Sequence, residues 1–256
     1  MVSHLMNSII LAAGYATRLY PLTLDMAKPL LKVAGKPIIE WVLDNLANVP
    51  GLGTIYVVTN DKFASDFQAW ADHYQHRQSQ LTFKIINDGS KSDADKLGAI
   101  GDINFVITRE NLSKSDLLIV AGDNLFSESL ADFVEYAKKT EATVAAYDVG
   151  DLEKIKQYSN ITTDSEGVIT RFEEKPEKPQ STLAAIALYY YSPEVTSLVT
   201  TYLAAGNNPD QPGRFVQWLY TRKPVKTFLI KDKWLDIGSK ETLEEADEIF
   251  RKLAVK

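Results

Sequence analysis

An apolar run, Ile9-Ile10-Leu11, breaks directly into three small residues, Ala12-Ala13-Gly14, and a polar stretch carrying Thr17, Arg18 and Lys28 follows. A strand that ends in so slim a turn brings its main chain close to whatever lies beyond it, because small side chains hold nothing off and Gly14 tolerates positive φ. Backbone N–H groups at such a turn, with a guanidinium fork and an ammonium nearby, suit phosphate oxygens. The stretch reads as a polyphosphate clamp at the carboxyl end of a strand. An ordinary strand-to-loop connection with solvated cations is the other reading of any few of these residues.

The chain beyond it alternates in kind. Ile38, Ile39, Val42, Leu43 and Leu46 recur at helical spacing and predict a helix opening after Pro37. Residues 54–59 and 81–86 read as strands with a helix over 62–77 between them, and 116–121 as a further strand. A helix is expected over 125–136, a strand over 143–149, a hairpin over 158–172 and a near-continuous apolar strand over 182–191. Helices over 193–203 and 215–219, a strand over 225–230 and a closing helix over 241–253, capped by Ser239, complete the pattern. Strands alternating with helices predict right-handed βαβ units: an α/β, Rossmann-like fold with a mostly parallel central sheet flanked by helices and a smaller β-rich part. In such sheets ligands sit beyond the carboxyl ends of the strands, so the loops after Leu11, Ile86 and Val120 should converge.

Composition removes other classes. The 256 residues carry a net charge of −6 with no basic run, which argues against a nucleic-acid surface. With no cysteine, disulfides, thiolate metal sites and a cysteine nucleophile are excluded. No apolar stretch is long enough for a membrane span and no export leader opens the chain, so the cytoplasm is the expected location. Residues 1–7 read as an extension ahead of the first strand, with Met6 a natural start, and His4, His73 and His76 as structural or solvated residues.

Taken together, L-A-A-G-x-A-T-R-L-x-P-L-T, Lys28-Pro29-Leu30 and Gly35-Lys36-Pro37 resemble the signature of the sugar-1-phosphate nucleotidyltransferases, or nucleoside-diphosphate-sugar pyrophosphorylases. Glucose-1-phosphate thymidylyltransferase-like enzymes are nearest in motif. Ala16 stands where that signature commonly has glycine. No Walker loop and no G-x-G-x-x-G competes with the resemblance. Three later elements extend it: Gly122-Asp123-Asn124 after a strand, Phe172-Glu173-Glu174-Lys175-Pro176, and Trp234-Leu235-Asp236-Ile237-Gly238-Ser239.

The resemblance implies one catalytic domain over 1–256. Its nucleotide-binding part would cover about 8–149 and its sugar-phosphate part about 150–240, followed by a terminal helix over 240–254. It implies Arg18 and Lys28 as catalytic cations, and Leu11, Ala12, Ala13, Gly14, Thr17, Asn87 and Gly98 as nucleotide contacts. Asn160, Glu174 and Lys175 would bind the sugar phosphate, and Asp123 and Asp236 would hold Mg2+. An acidic residue just past a buried strand suits such an ion independently, since it needs a cationic partner.

The implied reaction is attack of a sugar-1-phosphate oxygen on the α-phosphorus of a nucleoside triphosphate, with dTTP or UTP and glucose-1-phosphate favoured. Pro29 and the sequence Tyr158-Ser159-Asn160 depart from the thymidylyl branch, so base and sugar stay open. A catalytically inactive, nucleotide-sugar-sensing subunit of the same fold is the alternative. A glycosyltransferase using Asp93-Ala94-Asp95 as a metal motif is a weaker one, because no hydrophobic strand precedes it. Homo-oligomers are common in the resembled family, and the oligomeric state here stays open.

Overall fold

A computed structural model of the chain describes residues 5–77 and 81–254; His4 and the side chain of His76 fall outside the described residues. Strand β1 (Met6–Leu11) leads through two 3-10 turns (Thr17–Leu19 and Lys28–Leu30) to a small hairpin, β2 (Lys32–Val33) and β3 (Lys36–Pro37). Then come α1 (Ile38–Ala47), β4 (Leu52–Thr59), α2 (Ala64–Arg77), β5 (Thr82–Asn87), α3 (Ala99–Arg109), β6 (Leu117–Ala121) and β7 (Asn124–Phe126). Next are α4 (Ala131–Ala137), β8 (Ala142–Asp148), α5 (Leu152–Ile155), β9 (Ser159–Thr163), β10 (Ile169–Glu174) and β11 (Leu183–Tyr191). The chain ends with α6 (Pro193–Thr196), α7 (Leu198–Ala204), α8 (Gly213–Leu219), β12 (Lys226–Leu229), β13 (Trp234–Asp236) and α9 (Lys240–Ala254).

The expected parallel sheet is present as the run β6-β1-β4-β5, all parallel. Its strands are nearly all apolar because both faces are covered. On one face Ile10, Val57, Leu118 and Val120 pack with residues of α1, α2 and α4; on the other Ile9, Val58, Leu117 and Ile119 pack with α3, α7 and α8. Long strand β11 joins this half to an antiparallel one. Its Leu188–Tyr191 end pairs with β6, its Ala184 and Ala185 pair with β9, and β8 follows its other edge. The predicted hairpin is β9 with β10.

Three expectations need correction. The first strand begins at Met6, which is fully buried and pairs with Leu52, so Met6 and Asn7 belong to the sheet rather than to an extension. The helix read over 125–136 begins only at Ala131. Leu125 and Phe126 instead form β7, which pairs antiparallel with β13, and Leu125 enters a third apolar cluster with Leu19, Val33, Ile237 and Phe250 under α9. The helix over 193–203 is two, α6 and α7. His73 is exposed on α2, as read. Among the described residues no helix is long and apolar enough to cross a membrane.

Candidate active site

The slim turn after β1 is held in shape by its neighbours. Ala12 N–H donates to Val58 O at 2.9 Å, Asn60 Nδ2 donates to Ala13 O at 2.9 Å, and Gly122 N–H donates to Leu11 O at 2.8 Å. Ala16 then adopts φ 47°, the left-handed region, where an alanine costs about 1–2 kcal/mol and a glycine nothing. Thr23 Oγ1 donates to Ala16 O at 2.8 Å and braces that conformation. The position where alanine replaces the usual glycine is therefore the one at which glycine's freedom would be used.

Beyond the carboxyl ends of β1 and β6 lies a cleft of about 640 Å³. All three expected loops reach it: Ala13 to Arg18 after β1, Asp93 to Ala99 after β5, and Asp123 with Asn124 after β6. Ala185, Ile186 and Ala187 of β11, Glu174 at the end of β10 with Lys175 just beyond it, and Asp236 at the end of β13 form further parts of its wall, with Asp210, Gln211, Pro212 and Gly213.

Of the candidate residues, Leu11, Ala13, Gly14, Thr17, Arg18, Gly98, Asp123, Glu174, Lys175 and Asp236 line this one cleft. Lys28 reaches it through Asp123: its buried ammonium meets Asp123 Oδ2 at 2.6 Å. Ala12 is buried in the turn. Asn87 and Asn160 are not among the lining residues. The Asn87 side chain donates to Asp61 and accepts from Gly89 N–H. Asn160 is buried, donates to Ser181 O, Ser181 Oγ and Leu183 O, and accepts from Gln180 N–H, which ties the 180–183 loop to β9. Their amides serve the fold.

The charges act on one another as a group. Burial, then the Asp123 charge, pushes the Asp236 carboxyl up to about 6, against the opposing pull of Lys28, Arg18 and Lys175. For Asp123 burial also raises, but the Lys28 charge and hydrogen bond, with the Asn124 amide, outweigh it and hold the carboxyl below the usual range. Glu174 Oε2 accepts from Ser159 Oγ at 2.5 Å. Lys175 sits at φ 46° immediately before Pro176, a conformation disfavoured twice over, by its Cβ and by the proline. Strain of this sort collects where a side chain is held for a task.

Asp123 and Asp236 offer hard carboxylate oxygens to a shared space that Arg18 and Lys175 also line. No group of three or more acidic, histidine or cysteine side chains that could hold a metal ion occurs among the described residues. Two carboxylates are nonetheless the usual protein share for Mg2+, whose remaining positions go to phosphate oxygens and water. The donor set fits that ion. In Asp93-Ala94-Asp95 each carboxylate has partners of its own: Asp95 accepts from Lys91 and Ser92 N–H within its turn, and Asp93 pairs with Lys96. Tyr189 and Tyr191 stack on each other and Tyr190 donates to Asp116, so the tyrosine run packs, although Tyr189 also reaches the cleft wall.

Sequence reasoning did not single out Asn124, Ser159 or Trp234, all in the cleft wall. Their roles rest on partners distant in sequence, such as Trp234 Nε1 donating to Asn124 Oδ1 at 2.7 Å.

Known proteins share this chain's sequence pattern and fold. UTP--glucose-1-phosphate uridylyltransferase AglF of Haloferax volcanii is 28% identical over 245 residues, covering 95% of this chain and 96% of AglF. Bifunctional protein GlmU of Methanocaldococcus jannaschii is 24% identical over 243 residues, and the chain spans only 54% of that protein's length. A Bacillus anthracis protein solved in complex with sucrose has the same fold, with a TM-score of 0.83 at 22% identity over 96% of this chain and 95% of that one. The model of the family described as Nucleotidyl transferase matches residues 7–252, nearly the whole chain, and with it every element of the cleft; the chain belongs to that family.

Proposed function

We propose that the chain joins a nucleoside triphosphate to a sugar-1-phosphate, releasing pyrophosphate and forming a nucleoside-diphosphate sugar. The observation that carries this reading is the convergence of Arg18, Lys28 and Lys175 on the Asp123–Asp236 pair within one cleft that also holds the glycine turn. The nucleotide would lie on the part formed by about 8–149, against Leu11, Ala13, Gly14, Thr17 and Gly98, and the sugar on the part formed by about 150–240.

A sugar phosphate is already anionic at neutral pH, so the nucleophile needs no general base. What the site must do is align two crowded phosphates and neutralise them. Lys28 would stabilise the α-phosphate, Arg18 the departing pyrophosphate and Lys175 the incoming phosphate, while Glu174, oriented by Ser159, would accept from sugar hydroxyls. A Mg2+ ion held by Asp123 and Asp236 would supply charge neutralisation to both phosphates.

UTP or dTTP and glucose-1-phosphate remain the favoured pair, with AglF's name supporting the uridine form. A cytoplasmic setting, where both substrates occur, is part of this reading. The test is a grid of the four nucleoside triphosphates against several sugar-1-phosphates with Mg2+, scored by pyrophosphate. One strong combination supports the reading. Tight nucleotide-sugar binding with no pyrophosphate in any combination would support a sensing subunit instead.

A further inference from the structure

The segments bearing Asp123 and Asp236 are brought together by the short ribbon of β7 and β13, only three residue pairs long, with Asp236 opposite Asn124. A two-stranded ribbon that short is marginal by itself. Two acidic groups facing the same space also repel one another.

The Asn124 side chain lies between them. Its Nδ2 donates to Asp123 Oδ1 at 3.0 Å and, at the long limit of a hydrogen bond, to Asp236 Oδ1 at 3.5 Å. An amide can present either end, and with its oxygen turned toward the carboxylates it would repel both. The Trp234 indole settles the choice. An indole N–H can only donate, so the 2.7 Å bond from Trp234 Nε1 must take the Asn124 oxygen, which turns the NH₂ toward the acids. The indole is itself held by Tyr147 and Tyr158, whose ring centroids lie 5.5 and 5.3 Å from its own. Asn124 and Trp234 are both buried, so water does not readily replace either bond.

We propose that Trp234 is a positioning residue that acts through Asn124, its single N–H fixing which end of the amide faces Asp123 and Asp236 and so holding the two carboxylates in register for a divalent cation. Groups that orient metal-binding side chains typically govern affinity and turnover by about 10–100-fold. The inference rests on the proposed function only for the use to which the cation is put, and its first readout needs no substrate.

The experiment titrates Mn2+ alone into the wild-type chain and the variants Trp234→Phe, Asn124→Ala and the double variant, reading bound ion by electron paramagnetic resonance. Circular dichroism confirms that each variant is folded. The expected result is a loss of affinity of about tenfold for each single change. The double variant should be no weaker than Asn124→Ala, because the relay runs through the amide and truncating the amide already breaks it. With substrates, kcat of Trp234→Phe should fall by a similar factor while KM for the sugar phosphate stays level. Should Trp234→Phe unfold, Trp234→His, which keeps a ring N–H, serves in its place, and retained affinity there with loss in Asn124→Ala supports the relay. Unchanged Mn2+ affinity in both single variants, losses that multiply in the double variant, or a wild-type chain that takes up no Mn2+ would overturn the proposal. Failure of the pyrophosphate grid with the relay intact would count against the reaction alone.

Discussion

Lys28 and Asp123, 95 residues apart in the chain, meet as a largely buried ion pair at 2.6 Å. Lys28 comes from the second 3-10 turn after β1 and Asp123 lies two residues beyond β6, so the contact ties the loop proposed for the nucleotide to the first candidate metal carboxylate. Replacing Lys28 by Met keeps the buried stem and removes the charge. Turnover should fall by about 10²-fold or more, with the circular dichroism spectrum retained. A Lys28→Met variant as active as the wild type would show that the ammonium has no part in the chemistry.

Gly213 and Gly98 should separate the two substrates. A Cβ at Gly213 would lie 2.9 Å from both Glu174 Oε2 and Ser159 Oγ, so Gly213→Ala must displace the carboxylate assigned to the sugar. Its expected effect is a higher KM for the sugar phosphate with KM for the triphosphate little changed.

At Gly98 the φ is +77° and a Cβ would fall 2.7 Å from Pro209 O, a backbone atom that also accepts from Ile100 N–H at the start of α3. Gly98→Ala is therefore expected to cost about 1–3 kcal/mol of stability and to raise KM for the triphosphate, read by thermal melting and initial rates. A variant with the wild-type melting temperature would contradict the packing described.

Asp102, at 6% exposure on the first turn of α3, bears on pH-dependent stability. Burial, then the charge and hydrogen bond of Asp88, raises its carboxyl from 3.8 to about 8, and its Oδ1 has no hydrogen-bond partner. The unfolded chain ionises this group near pH 4 and the folded chain near pH 8. Its contribution is thus intact below about pH 4 and is lost steadily as pH rises toward 8. Asp102→Asn should stabilise the protein by roughly 2–3 kcal/mol at pH 7 and by almost nothing at pH 4, measured by urea unfolding. Stability curves that stay parallel from pH 4 to 8 would contradict it.

The parallel half of the sheet was readable because its signals are local: β-branched runs, helical spacing and the small-residue turn each lie within a dozen residues. Asp123, Glu174, Lys175 and Asp236 could be named as candidates for the same reason, each lying in a short motif, and all four line the cleft. β7 was not, since Leu125, Phe126, Leu130, Phe133 and Val134 also suit one helix face, and only pairing with β13 draws the first two into a strand. Asn87 and Asn160 show a further limit. An amide's type does not say whether a ligand or a nearby carbonyl will claim it, and here Ser181 and Leu183 claim that of Asn160. Trp234 and Asn124 stand in quoted motifs, but the bond between them was not readable because it spans 110 residues.

Product balance tests the account most directly. With Mg2+, the preferred triphosphate and its sugar-1-phosphate, the wild-type chain should release one pyrophosphate for each nucleoside-diphosphate sugar formed. Asp123→Ala and Asp236→Ala, both folded, should each be slower by about 10²-fold or more. Full turnover in either variant, or triphosphate consumed without nucleotide-sugar appearing, would contradict a shared cleft in which these carboxylates and cations act together.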